Sequence, residues 1–237
     1  MVPALTIADV ASEGIGTLGE KPLHAVLKNW YSGPGDLEEH PVDGFVVDIV
    51  RDDGLLVEIQ TKGFSSMKRK AAALLDRGHR LRIVHPVPAD KTIVKVDDDG
   101  VVIGRRMSPR HGDATDVFAE LVSFPELLAH PNLEIDVLLI SEEEYRCHRP
   151  GRSWRRGGWV VEERHLVEVK ESILLCGSGD LLGLLPESLP SPFTTADIAA
   201  GLGRPRRLAQ QMAYCLRKVG AVTEVGRAGN AIQYRLA

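Results

Sequence analysis

The chain is short of aromatic residues and cysteines, and it has no long apolar run and no P-loop. Each shortage narrows what it can be. Phenylalanine, tryptophan and tyrosine make up 5% of its 237 residues, so its cores must be aliphatic. Cys147, Cys176 and Cys215 are odd in number, far apart and without a CxxC pair. That pattern supports neither a zinc ribbon nor a disulfide framework. No stretch approaches the roughly 18 consecutive apolar residues of a membrane span. The start, MVPALTIADVASEGIG, lacks the basic region and apolar core of a secretory signal. A cytoplasmic protein with no membrane partner is therefore expected. Without a P-loop, no NTP site is expected.

What is present is unevenly charged. The net charge is −4, from 29 basic and 33 acidic residues. Residues 191–237 hold seven Arg/Lys and two acids, or +5, leaving 22 basic against 31 acidic, or −9, in the remainder. A basic tail on an acidic body is the asymmetry of a module that meets a polyanion.

Periodicity gives the elements. Leu23, Val26, Leu27 and Trp30 recur at helical spacing in EKPLHAVLKNWY, which Ser32-Gly-Pro-Gly35 stops. Residues 42–50, VDGFVVDIV, read as a strand, with Asp43 at its entry. Asp52-Asp53-Gly54 then turns the chain into a partner strand over 55–61. MKRKAAALLDRG is a helix capped by Ser65 or Ser66 and ended by Gly78. RLRIVHPV, residues 80–87, is a strand closed by prolines, and KTIVKVDDDGVVIGRR is a second hairpin. DVFAELV reads as a helix and LEIDVLLI, residues 133–140, as an apolar strand. This order predicts an α/β sandwich around a mixed sheet over residues 1–145. Residues 146–158, RCHRPGRSWRRGG, open a basic extension over 146–190, whose tryptophans either pack inward or stack on bases. Pro186 to Pro192 is the clearest linker, and 191–237 forms a small third segment.

One cluster carries chemistry. Side chains alternate along a strand, so Glu58, Gln60 and Lys62 are expected to share a face. A three-residue turn at Asp52-Asp53-Gly54 sets Asp48 opposite Glu58, two carboxylates about 5 Å apart. A two-residue turn shifts the register and separates them. Close carboxylates raise each other's pKa, and a divalent cation relieves the repulsion. Mg²⁺ takes one or two carboxylates together with waters and phosphate oxygens. Asp43, five residues from Asp48, belongs to the other face. His85, at the end of an apolar strand, reads as a satisfied core histidine.

VDGFVVDIVRDDGLLVEIQTK resembles the core of the PD-(D/E)XK nuclease superfamily, in which an Asp on one strand pairs with Glu-x-Lys on the next, between two helices. The resemblance spans about residues 20–87 and implies a Mg²⁺- or Mn²⁺-dependent hydrolase that cuts DNA. It makes Asp48 and Glu58 metal ligands and Glu20, on the preceding helix, a third acid. Gln60 stands where the family has lysine, with Lys62 or Lys68 as the replacement charge. In that scheme Gln60 positions water or metal, and Lys62 stabilises the transition state.

FTTADIAAGLGRPRRLAQQMAYCLRKVGAVTEVGRAGNAIQYRLA resembles a winged helix-turn-helix. Arg204, Arg206, Arg207, Gln210 and Gln211 fall near the start of its second helix, where such folds read base edges. Arg227 and Asn230 lie at the wing tip, suited to phosphate or the minor groove. The whole chain also looks like a bacterial family, which adds no activity. The leading expectation is a DNA-bound, metal-dependent nuclease. The alternative is a non-catalytic DNA-binding regulator whose nuclease-like sheet serves as scaffold or homodimer surface.

Overall fold

A computed structural model describes residues 21–153 and 157–237. The protein is mixed α/β. Its main sheet has seven strands, in the order β1 (Leu37–Val42), β2 (Phe45–Val50), β3 (Leu56–Ile59), β4 (Leu81–Val96), β6 (Leu133–His148) and β7 (Trp159–Leu175), with β5 (Val102–Met107) paired to β4 off this path. The helices are few and mostly short. None among the described residues is long and apolar enough to cross a membrane.

Two compact units emerge, and neither is a continuous segment. One comprises 34–85, 114–137 and 173–237; the other comprises the described residues up to 33 together with 86–113 and 138–172. The strands within 37–59 and the C-terminal helix pair thus fall in the same unit, a grouping that consecutive domains at 1–145, 146–190 and 191–237 do not anticipate. The three long strands of the main sheet carry the chain from one unit into the other.

In the first unit, β1 (Leu37–Val42) and β2 (Phe45–Val50) form an antiparallel hairpin. Asp43 and Gly44, with φ of 49° and 84°, make its two-residue turn. Positive φ at both central positions matches the right-handed strand twist and favours Asp-Gly. Asp43 is therefore a turn residue rather than the first residue of a strand. β2 then pairs with β3 (Leu56–Ile59), Ile49 opposite Val57 and Val50 opposite Leu56. The backbone of Arg51 donates to Leu55 O at 2.9 Å, closing a loop over 52–54. β3 is buried along its whole length, as a strand covered on both faces must be. A 3₁₀ turn at Phe64–Met67 leads into α2 (Lys68–Asp76), and the chain returns as β4 (Leu81–Val96), parallel to β3. Phe64 stacks on Phe124, with centroids 5.4 Å apart, and meets His85 edge-on at 5.0 Å. That cluster fixes the turn after β3. Further 3₁₀ turns at Ala114–Val117 and Pro125–Ala129 flank the four-residue α3 (Phe118–Leu121), where the sequence suggests one longer helix.

The C-terminal part of this unit begins with α4 (Ser178–Leu182). Then come α5 (Thr195–Leu202), α6 (Arg206–Lys218) and the hairpin β8 (Val222–Ala228) with β9 (Ala231–Leu236). Thr194 caps α5 in a reciprocal box with Asp197. Gly203, at φ 62°, ends that helix in the left-handed region. Leu208, Met212, Cys215 and Leu216 line one buried stripe of α6. This stripe packs on α3, on the adjoining 3₁₀ turns and on α5.

The second unit contains α1 (Pro22–Tyr31), whose Leu23 and Leu27 are buried at the expected spacing. It also holds β5 (Val102–Met107) and, over 138–172, the greater part of β6 (Leu133–His148) and β7 (Trp159–Leu175). Two strands run further than their sequences suggest. Pro86 and Pro88 do not end β4, because a φ near −65° is compatible with extended backbone. β6 continues past Ile140 through Glu142 and Glu144, which face inward.

Candidate functional site

The site assembles on three elements of the first unit: β2, β3 and α2. The β2–β3 register continues to Asp48 opposite Glu58, and the two are tied crosswise. Glu58 Oε1 accepts from the Asp48 backbone N–H at 3.3 Å. Asp48 Oδ2 accepts from the Ile59 N–H at 2.7 Å. Glu58 is 8% exposed. Burial first, and the Asp48 carboxylate second, push its pKa up to about 7, against the opposing pull of Lys70.

Lys70 is the residue that the sequence reading missed. Its ammonium donates to Glu58 Oε1 and to the Val46 carbonyl. One signal for it was present. Met67, Ala71 and Leu74 form the buried stripe of this helical segment, and Lys70 lies one turn before Leu74 on the same side. A lysine inside an apolar stripe points at the core and needs an acid there.

Lys62 and Gln60 stand elsewhere than expected. β3 ends at Ile59, so strand alternation does not carry Glu58's face on to Gln60 and Lys62. Lys62 is exposed in the following bend. The Gln60 side-chain nitrogen donates to Gly63 O at 2.9 Å and to Ser66 Oγ at 3.3 Å, so it braces the loop. The Gln60 carbonyl bonds His85 Nδ1 at 2.7 Å, which makes His85 a structural partner of that loop. Lys68 faces Glu126 at 3.9 Å. Asp43 is held by His79 at 2.7 Å, in the turn. Glu20 lies outside the described residues.

Two hard oxygen donors on paired strands, one with its pKa raised to about 7 by burial first and by its neighbour second, suit a small divalent cation. Among the described residues no group of three or more His, Cys, Asp or Glu converges on such a position. The protein's contribution there is the pair Asp48 and Glu58, a ligand count that Mg²⁺ accepts.

The residues singled out for DNA contact divide. Arg204 is turned inward on to Asp116, with 17% of its side chain exposed. Arg206, Arg207, Gln210, Arg227 and Asn230 are exposed, and Gln211 is half-buried. In the 146–158 segment, Arg146 pairs with Glu144, and Arg149 pairs with Asp98 and Glu162. Trp159 contacts His148 and lies under Lys95. Trp154, Arg155 and Arg156 lie outside the described residues.

Comparison with known proteins follows the same geography. A family model described as "Domain of unknown function (DUF8091)" matches residues 21–176. That span holds Asp48, Glu58 and Lys70 and stops before α5. A protein of Treponema pallidum (strain Nichols), printed as "Uncharacterized protein", is 31% identical over 223 residues, covering 93% of this chain and 87% of its own. A match of that extent leaves too few residues outside it to omit α6. No solved structure matches the chain. By the span of the family match, the chain belongs to the DUF8091 family.

Proposed function

We propose that the protein is a divalent-metal-dependent phosphodiesterase acting on DNA, with a PD-(D/E)XK-like core and a winged-helix-like C-terminal module. The observation that carries this reading is the Asp48–Glu58 pair on adjacent strands, with the Lys70 ammonium brought to Glu58 from the next helix. Asp48 and Glu58 would hold Mg²⁺ or Mn²⁺. The cation supplies charge neutralisation at phosphorus and an activated water. Lys70 takes the role that the sequence reading gave to Lys62. Its charge lies at the carboxylates, where negative charge builds on the phosphoryl oxygens. Burial of Glu58 keeps that charge effective by excluding water.

The test is cleavage of supercoiled plasmid in Mg²⁺ or Mn²⁺. Wild type nicks or linearises it, and Asp48→Asn and Glu58→Gln leave it intact. Undiminished cleavage by Glu58→Gln discards the reading.

One observation favours the non-catalytic regulator. The Gln60 amide nitrogen, at the family's lysine position, serves the loop at Gly63 and Ser66. On that reading DNA binding falls with salt, survives Glu58→Ala and is lost in Arg206→Ala, and no plasmid is cut.

A further inference from the structure

One outward face of α6 carries Arg207, Gln210, Tyr214 and Lys218, at spacings of three and four residues. Arg207, Gln210 and Lys218 are exposed, and Tyr214 is 37% exposed with its ring 5.9 Å from the Lys218 ammonium. The opposite face is buried, so the helix lies along its unit with this flank outward. At the end of this stripe stands one acid. Glu126 gives Oε1 to Lys218 at 3.7 Å and Oε2 to Lys68 at 3.9 Å. Lys68 begins α2, the helix that carries Lys70. All three members of the bridge are open to solvent.

We infer that this stripe, continued through Lys218 to Lys68, is a track for the phosphate backbone of DNA, and that Glu126 is an electrostatic brake on it. The inference rests on the proposed action on DNA, and it changes the mode of contact. A flank of alternating cation, amide and aromatic ring follows a backbone without reading bases. While Glu126 spans the two lysines, it offsets the charge that phosphate would meet. Phosphate arriving at either lysine displaces a carboxylate of like sign.

The inference makes an unusual demand: removing a surface acid must tighten binding. Fluorescence anisotropy with a short fluorescein-labelled DNA duplex, in EDTA, reads affinity without cleavage. Glu126→Gln should bind ~2–10-fold more tightly, the scale of freeing two exposed ion pairs. Lys218→Ala and Lys68→Ala should each weaken binding and lower the slope of log affinity on log salt by about one. Thermal melting checks that the variants are folded. Unchanged or weaker binding by Glu126→Gln overturns the inference, as do lysine variants that bind like wild type. Because metal is absent, failure here is separable from failure of the nuclease reading. Plasmid cleavage with no effect of the stripe defeats only the track, whereas a working track without cleavage defeats only the enzyme.

Discussion

Two glutamate sites in this protein are both buried and differently compensated. Glu58, in the first unit, has one ammonium, one backbone N–H and a second carboxylate beside it. Glu144, in the other unit, is 2% exposed. It receives Lys91 at 2.8 Å and Arg146 Nε at 2.7 Å, with Arg164 at 3.8 Å. Glu142 shares the same lysine at 2.9 Å, without hydrogen-bond geometry. Burial raises the Glu144 pKa, but the hydrogen bonds and charges of Lys91 and Arg146 outweigh it, and the net shift is downward. At Glu58 burial and Asp48 prevail, and the net shift is upward, to about 7. Desolvation is common to both sites. They differ in how much positive charge the chain itself supplies. A buried acid with three cations around it is complete as a structural element, whereas one with a single cation and a second acid has room for another positive charge.

That contrast is most exposed to metal titration, where the largest effect is expected. Mn²⁺ followed by calorimetry should bind wild type and lose its detectable heat in Asp48→Ala and Glu58→Ala. Glu144→Gln should retain binding where it folds. Metal binding that ignores Asp48 and Glu58 would remove the distinction. On the catalytic side, Lys70→Met should slow plasmid cleavage by about 10²–10³-fold, the scale of one lost transition-state donor.

Stability gives the next effect. Lys91→Met takes the lysine from the buried Glu142 and one of three cations from Glu144, and should cost about 3–5 kcal/mol in urea unfolding, as removing one partner of a buried pair does. The same change at Lys70 should cost clearly less at pH 5, where Glu58 can take a proton.

The smallest effect is a pH slope. The folded pKa of Glu58 is about 7, above its ordinary value of 4.5, so the unfolded chain releases that proton first. This group imposes no penalty below pH 4.5. Its contribution turns unfavourable as the pH rises from there to about 7, and the full penalty persists above. At 1.36 kcal/mol per unit, the ceiling is about 3 kcal/mol. Glu58→Gln should flatten this part of the metal-free stability curve, and a curve that keeps its slope would show that Glu58 titrates normally. Glu144, shifted the other way, stabilises the fold above its unfolded pKa and loses that contribution only as the pH falls through its lower folded value.

Much of the first site was legible because its signals are local. Asp52-Asp53-Gly54 announces a turn, and turn length sets the register that brings Asp48 opposite Glu58. The helical stripes of α1, α2 and α6 follow from periodicity. Errors arose where one residue type serves two roles. Asp43-Gly44 is the same kind of turn signal but sits between short runs, so it read as part of a strand. Pro86 and Pro88 read as an end although β4 passes through them. The apolar run LEIDVLLI stops at Ile140, ahead of Ser141-Glu-Glu-Glu144. Only the pairing of β6 in the sheet reveals that Glu142 and Glu144 alternate inward while Glu143 does not. Lys70 was missed for a related reason. Family resemblance directs attention to the strand, while tertiary packing delivers the charge from the helix.

The connection from β3 through α2 to β4 sets when the site can exist. β2 and β3 meet through a short hairpin, so the two carboxylates can come together early, by local closure. Lys70 lies on the helix that connects β3 to β4, which pairs parallel to β3 with Leu56 beside Leu81. Parallel pairing is a slower, non-local event. The two acids thus belong to one local hairpin, whereas their counter-charge comes from the segment that joins β3 to its parallel neighbour. A hairpin of β2 and β3 alone would hold the acids without the lysine, so the charge triad needs the longer-range connection as well as the local one.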